Sequence, residues 1–155
     1  MSRAALAALA LALAACHSGK WREADLRLQQ ASAAARRGGF EPLSGPYNTF
    51  GVFNDSAAKV WSVRLDSATT YAVAAACTAG CGPLALALRG PGASRLGADS
   101  SAADTAMLMV RSAASGTYTV DVSARCRGRC WWVAQVYARG ADDRLRPGYA
   151  GGGLH

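Results

Sequence analysis

The chain has 155 residues, 51% of them hydrophobic, and its 17 basic and 10 acidic residues give a formal net charge of +7. This length allows one domain. The charge favours solubility and weak attraction to anionic surfaces, without specifying a fold. No glycine-rich loop joins a strand to a helix, which argues against nucleotide binding through such a loop. We expect no nucleic-acid partner.

The first 15 residues predict a signal peptide. After Arg3, residues 4–15 form an unbroken run of alanine and leucine, shorter than the roughly 20 residues that a membrane-spanning helix needs. Its end, Leu13-Ala14-Ala15-Cys16, resembles the lipobox of bacterial lipoproteins. The resemblance implies cleavage before Cys16 and attachment of lipid to its sulfur. The alternative is an ordinary secretory signal, which would leave Cys16 as a free thiol.

Lipidation of Cys16 predicts where the mature protein is found. Several acyl chains anchor a protein firmly to a membrane, so we expect it in the bacterial cell envelope. By resemblance to the sorting rules of Gram-negative lipoproteins, His17 after the lipidated cysteine favours the outer membrane, with the domain facing the periplasm or the surface.

Residues 16–46 are predicted to hold the lipidated cysteine, a short connector and one helix. Helix-forming residues fill positions 21–37, and Gly38 and Gly39 end the run. A thin apolar stripe at helical spacing consists of Trp21, Ala24, Leu28, Ala31 and Ala35. So shallow a stripe predicts a solvated helix that spaces the domain from the membrane. The alternatives are a helix docked on a partner or lying on lipid with Trp21 at the interface.

Residues 47–139 are predicted to form the β domain, because the hydrophobic period changes from helical to two. The expected strands cover 47–53, 59–65, 71–77, 84–88, 106–110, 117–123 and 131–139, with a turn at 54–55 and a polar loop at 99–104. Seven or eight short strands predict an all-β fold, an antiparallel β-sandwich or jelly roll. Residues 140–155 are predicted to be a flexible tail.

Residues 61–137 resemble the bacterial pre-peptidase C-terminal domain. The matching segments are residues 65–73, 84–88 and 116–120, with two Cys-x3-Cys segments, or clips, at Cys77/Cys81 and Cys126/Cys130. The resemblance implies a β-sandwich in a secreted bacterial protein. Acidic residues expected around the first clip are replaced by Thr78, Gly80, Pro83 and Ala85, so no calcium site is predicted there.

The four clip cysteines allow three arrangements. Export to an oxidising compartment favours two local disulfides, Cys77 with Cys81 and Cys126 with Cys130, which we expect at hairpin tips. A crossed pairing and a four-thiolate zinc site are the alternatives. Lipidation of Cys16 leaves four cysteines to pair and none over, and we therefore predict no metal ion.

Catalysis is not predicted. The two histidines, His17 and His155, lie outside the β domain, so a serine–histidine–aspartate arrangement within it is excluded. The aspartates of the domain occur singly and mostly at predicted turns. We expect neither enzymatic activity nor a cofactor.

A candidate binding surface surrounds the second clip. It consists of Arg125, Arg127, Arg129, Trp131 and Trp132, and alternation predicts that the three arginines point the same way. Guanidinium groups beside indoles suit an anionic glycan or envelope polymer. The alternative is that both tryptophans belong to the core and the arginines are simply solvated.

Together these features predict a non-catalytic envelope lipoprotein, a membrane-anchored β-sandwich that binds a glycan or an envelope protein. The second hypothesis is an accessory or inhibitory partner of an exported enzyme such as a peptidase.

Overall fold

The computed structural model describes residues 3–100 and 103–139, with side chains from Gly19 onward apart from Ser56. The predicted tail at 140–155 lies outside the described residues. The elements are a helix, α1 (Arg3–Arg37), and the strands β1 (Phe40–Pro42), β2 (Asn48–Leu65), β3 (Thr70–Cys77), β4 (Cys81–Arg89), β5 (Arg95–Asp99), β6 (Thr105–Arg111) and β7 (Gly116–Arg139). No helix in the described part is long and apolar enough to cross a bilayer.

The strands form an antiparallel β-sandwich whose two halves share their longest strands. In one half β6 pairs with β3, β3 with the end of β7, and β7 with β1 and the start of β2. In the other half β5 pairs with β4, β4 with the start of β7, and β7 with the end of β2. The inward faces of both halves contribute to one core, which confirms the predicted fold class.

The two longest strands, β2 and β7, run from one half into the other. We call the bend where they do so, near residues 54–56 of β2 and 126–130 of β7, the crease. On β2 the pairing register shifts between Asn54 and Ser56, where Asp55 has a φ of 56°. On β7 the second clip surrounds Gly128, whose φ is 85°. This backbone conformation favours glycine because an added Cβ is strained in it. The first clip connects β3 to β4. Both clips therefore lie at the crease, and the prediction that they sit at hairpin tips is wrong.

The core follows the predicted alternation closely. On β7 the side chains of Tyr118, Val120 and Val122 are buried, and the residues between them face outward. On β4 the predicted series Leu84, Leu86 and Leu88 is also buried. Alternation at period two thus identifies the inward face in these two stretches.

Helix α1 packs on the outer face of the sandwich, which corrects the prediction of a solvated spacer. Ala24, Leu28 and Ala35 are buried against a second apolar cluster. The sheet side of that cluster consists of Ala72, Ala74, Ala76, Val133 and Tyr137. Because the β3 side chains facing the helix are alanines, α1 lies close to the sheet and its thin stripe is sufficient to bury it.

Four other features of the strands differ from the prediction. The predicted turn at 54–55 is a bulge inside β2, and residues 117–139 form one bent strand because the second clip bends β7 without ending it. Residues 95–99 form β5, an edge strand with little buried surface and hence no clear alternation. Residues 40–42, for which no strand is predicted, pair with residues 137–139.

Candidate binding surface

The two adjacent tryptophans after the second clip point to opposite faces of β7. Trp132 is only 2% exposed, and its ring stacks on Phe53 with the centroids 5.2 Å apart. Trp131 is half-buried on the outer face. Trp132 therefore belongs to the core, and its predicted place on the binding surface is wrong.

Trp131 lies in an outer cluster of three aromatic rings, which we call the aromatic patch. Its members are Trp21 of α1, Phe50 of β2 and Trp131 of β7. The Trp21 ring meets Phe50 edge-on, with centroids 4.5 Å apart, and Trp131 edge-on at 4.7 Å. Phe50 is 65% exposed, and large exposed aromatic surface of this kind marks interaction sites.

The three arginines of the second clip do not share one surface. The Arg129 guanidinium lies over the Trp131 ring, 5.6 Å from its centroid, within the range of a cation–π contact. Arg125 and Arg127 line a separate pocket beside Cys81 and Cys126. The prediction of one arginine face is therefore wrong, because the bend at Gly128 interrupts the alternation.

An open cleft of about 710 Å³ runs along the aromatic patch between α1 and the sheet. Arg22 and Asp25 line its helix side, and Asn48 and Phe50 line its strand side, with Val133 beneath. Aromatic walls with a few polar groups are typical of small-molecule and glycan sites. The cleft offers a cation, a carboxylate and an amide around an apolar floor.

Polar contacts also hold α1, and with it Trp21, against the sheet. Arg27 forms an ion pair with Asp104, and the Ala79 N–H donates to Glu23 Oε1 at 2.8 Å. The hydrogen bond from Ala79 lowers the pKa of Glu23, and Lys20 and Arg27 act in the same direction. The aromatic patch is thus assembled only when α1 is docked.

The clips form the local disulfides Cys77–Cys81 and Cys126–Cys130. The two bonds lie side by side, since Cys81 is directly opposite Cys126 in the β4–β7 register. The structure thus has neither the crossed pairing nor a four-thiolate site.

Aspartates of the sheet and of the loop before β6 have structural partners. Asp121 accepts a hydrogen bond from Arg89 Nε at 2.6 Å, and Asp104 pairs with Arg27. The Met107 N–H donates to Asp99 at 2.8 Å. These contacts explain three of the single aspartates by packing between neighbouring elements.

Comparison with known proteins finds only distant similarity, to solved structures. No family model and no curated protein matches it. Among solved structures, PliG of Aeromonas hydrophila, a periplasmic inhibitor of g-type lysozyme, is 14% identical, covering 63% of this chain and 88% of PliG at a TM-score of 0.46. The module TmCBM61, solved with β-1,4-galactotriose, is 14% identical, covering 61% of this chain and 71% of its own at 0.39. A carbohydrate-binding module of Cellvibrio mixtus lichenase 5A, solved with cellotriose, is 11% identical, covering 64% and 91% at 0.37.

Two members of the aromatic patch were missed from the sequence. Phe50 is an odd number of residues from Phe53, so the two side chains lie on opposite faces of β2, and this outward aromatic was a usable signal. Trp21 was assigned to the apolar stripe of α1. Its contacts with Phe50 and Trp131 depend on where the helix docks, which no local pattern specifies.

Proposed function

We propose that this protein is a non-catalytic lipoprotein of the bacterial envelope that binds an anionic glycan or envelope polymer at the aromatic patch. It is anchored through lipid on Cys16, in the outer membrane, and its β-sandwich is of the pre-peptidase C-terminal type. The observation that carries the proposal is the exposure of the aromatic patch. Phe50 is largely exposed and its ring contacts Trp21. Trp131 contacts the same Trp21 ring and lies under the Arg129 guanidinium.

The chemistry of the patch favours a sugar polymer bearing carboxylates. Exposed ring faces suit the apolar faces of sugar rings, and Asp25 and Asn48 in the cleft are suited to their hydroxyl groups. Arg129, and Arg22 at the cleft, supply guanidinium groups that bind carboxylates through charge-assisted hydrogen bonds. An open cleft, rather than an enclosed cavity, admits the interior of a long chain.

Calorimetry with the full-length protein in detergent tests the proposal. The ligands are polygalacturonate and its neutral methyl ester. We expect the acid form to bind more tightly than the ester. Added salt should weaken binding of the acid form because exposed charge pairs are screened. Phe50→Ala and Arg129→Ala should each weaken binding by roughly fivefold to tenfold, as for loss of one exposed aromatic or charge-assisted contact.

Arg127→Ala is the matched control, since it removes an arginine two residues from Arg129 that lies in the other pocket. It should leave the affinity within about twofold. Equal binding of the acid and the ester, or an equal loss in Arg127→Ala, would refute the proposal. Recovery of one stoichiometric enzyme from envelope extract, with no polymer binding, would instead support an accessory or inhibitory protein.

A further inference from the structure

A second pocket lies at the crease, beside the two disulfides. This clip pocket has a volume of about 310 Å³ and is lined by Gly80, Cys81, Gly82, Arg125, Cys126 and Arg127. Its size suits a small molecule rather than a polymer. The proposed glycan site does not include it.

In each disulfide, one cysteine lines this pocket and the other is buried in the core. Cys81 and Cys126 are partly exposed and line the pocket, whereas Cys77 is fully buried and Cys130 is 1% exposed. An external thiol therefore reaches only Cys81 and Cys126 in the folded protein. The opposite sulfur of each bond is the leaving group.

The sulfur atoms of the two disulfides are also close enough to react with one another. The Sγ atoms of Cys81, Cys126 and Cys130 all lie within 4.8 Å of one another. A thiolate released from the second disulfide thus has the first disulfide as an immediate neighbour. Two separate local disulfides would not have this property.

The charge at the pocket favours anionic thiols. Arg125 and Arg127 are its charged lining residues, and both are exposed. Neighbouring arginines attract anions and stabilise thiolates, which are the reactive and the leaving species in disulfide exchange. Reactive cysteines typically occupy such electropositive, partly exposed positions.

We propose that the clip pocket is a site of thiol–disulfide exchange with small anionic thiols. The incoming thiolate attacks Cys126 Sγ and forms a mixed disulfide, while the Cys126–Cys130 bond breaks and Cys130 leaves as a thiolate. Cys130 then attacks Cys81 Sγ, which forms a Cys81–Cys130 bond and releases Cys77 as a thiolate that takes up a proton from water. Attack at Cys81 instead forms the mixed disulfide there, breaks the Cys77–Cys81 bond and releases Cys77 as a thiolate. The number of disulfide bonds is unchanged at every step.

Mass spectrometry of the full-length protein in detergent tests this assignment. The protein is incubated with reduced glutathione, an anionic thiol, and then alkylated and digested. Trypsin cleaves after Arg127 and Arg129 and so separates Cys126 from Cys130, and fragmentation separates Cys77 from Cys81. We expect glutathione on Cys126 or Cys81, and early products that contain a Cys81–Cys130 bond. Adducts on Cys77 or Cys130, or none while the protein stays folded, would overturn the proposal.

The role of charge is tested by comparing glutathione with cysteamine, a cationic thiol. We compare the rate with glutathione divided by the rate with cysteamine. Structural effects of a variant that change both rates equally cancel in this ratio. In Arg125→Gln with Arg127→Gln this ratio should fall by roughly tenfold, as expected for lost electrostatic steering. The control, Arg64→Gln with Arg95→Gln, removes two exposed arginines outside the pocket and should keep the ratio. An unchanged ratio in the pocket variant would refute selection of anionic thiols.

Discussion

At the scale of single residues, one position decides which aromatic ring enters the core. Trp131 and Trp132 are chemically identical, so the sequence alone does not distinguish them. Trp132 faces inward opposite Gly51 of β2, where an added Cβ would lie 2.8 Å from Trp132 Nε1. The space for Trp132 is thus provided by a glycine 81 positions away along the chain, and only the strand register brings the two together.

Glu23 is predicted to make helix docking depend on pH. The Ala79 N–H and the neighbouring cations lower its pKa in the folded protein. A lowered folded pKa means that its stabilising contribution is complete above the usual glutamate pKa and is lost as pH falls through the folded value. We therefore expect the unfolding midpoint of the wild type to fall more steeply than that of Glu23→Gln between about pH 5 and pH 3.

Thermal unfolding of both proteins across this range checks the prediction. Other carboxylates titrate in the same window, but they are common to the two proteins and cancel in the difference. Glu23→Gln keeps an oxygen that accepts the Ala79 hydrogen bond, so the variant remains folded at neutral pH. Parallel curves for the two proteins would show that Glu23 does not contribute.

At the scale of elements, the helix and its docking face were both visible in the sequence, but their pairing was not. The stripe on α1 was assigned to solvent because it is mostly alanine. Whether a helix is buried depends equally on the surface it meets, and Ala72, Ala74 and Ala76 form a surface flat enough for close approach. The outer face of β3 consists of small side chains, and α1 is the neighbour that packs on it.

Ala74→Leu is predicted to weaken this contact. Ala74 is fully buried in the cluster beneath α1, and adding bulk to a packed interface costs about 1–3 kcal/mol. Urea denaturation should show that loss, and hydrogen exchange of residues 24–35 should accelerate because α1 is displaced. Ala98→Leu, on the exposed edge strand β5, is the control and should change stability by less than about 0.5 kcal/mol. Equal effects at both positions would contradict close packing of α1.

At the scale of the whole molecule, the fold class was predictable and the crease was not. Alternation predicted a sandwich, since period-two burial is a local property of each strand. The crease is built from Asp55, Gly128 and the two clips, residue types that also end strands in turns. Whether such residues end a strand or bend it depends on whether the partner strand continues, and that information is not local.

The docked helix has a consequence for the proposed anchor. Cys16 precedes Trp21 by five residues of α1, about 8 Å at the helical rise. The aromatic patch and the domain therefore lie near the membrane surface if Cys16 carries lipid.

Labelled palmitate should enter the wild-type chain, and the labelled protein should sediment with membranes. Cys16→Ser should lose the label and leave the membrane fraction, because the acyl chains supply the attachment. Its free energy of unfolding should be unchanged, since, from Gly19 onward, the residues that α1 buries begin at Ala24. Ser18→Ala, which keeps the cysteine, is the control and should retain the label. Label persisting in Cys16→Ser, or absent from the wild type, would rule out lipidation at this position.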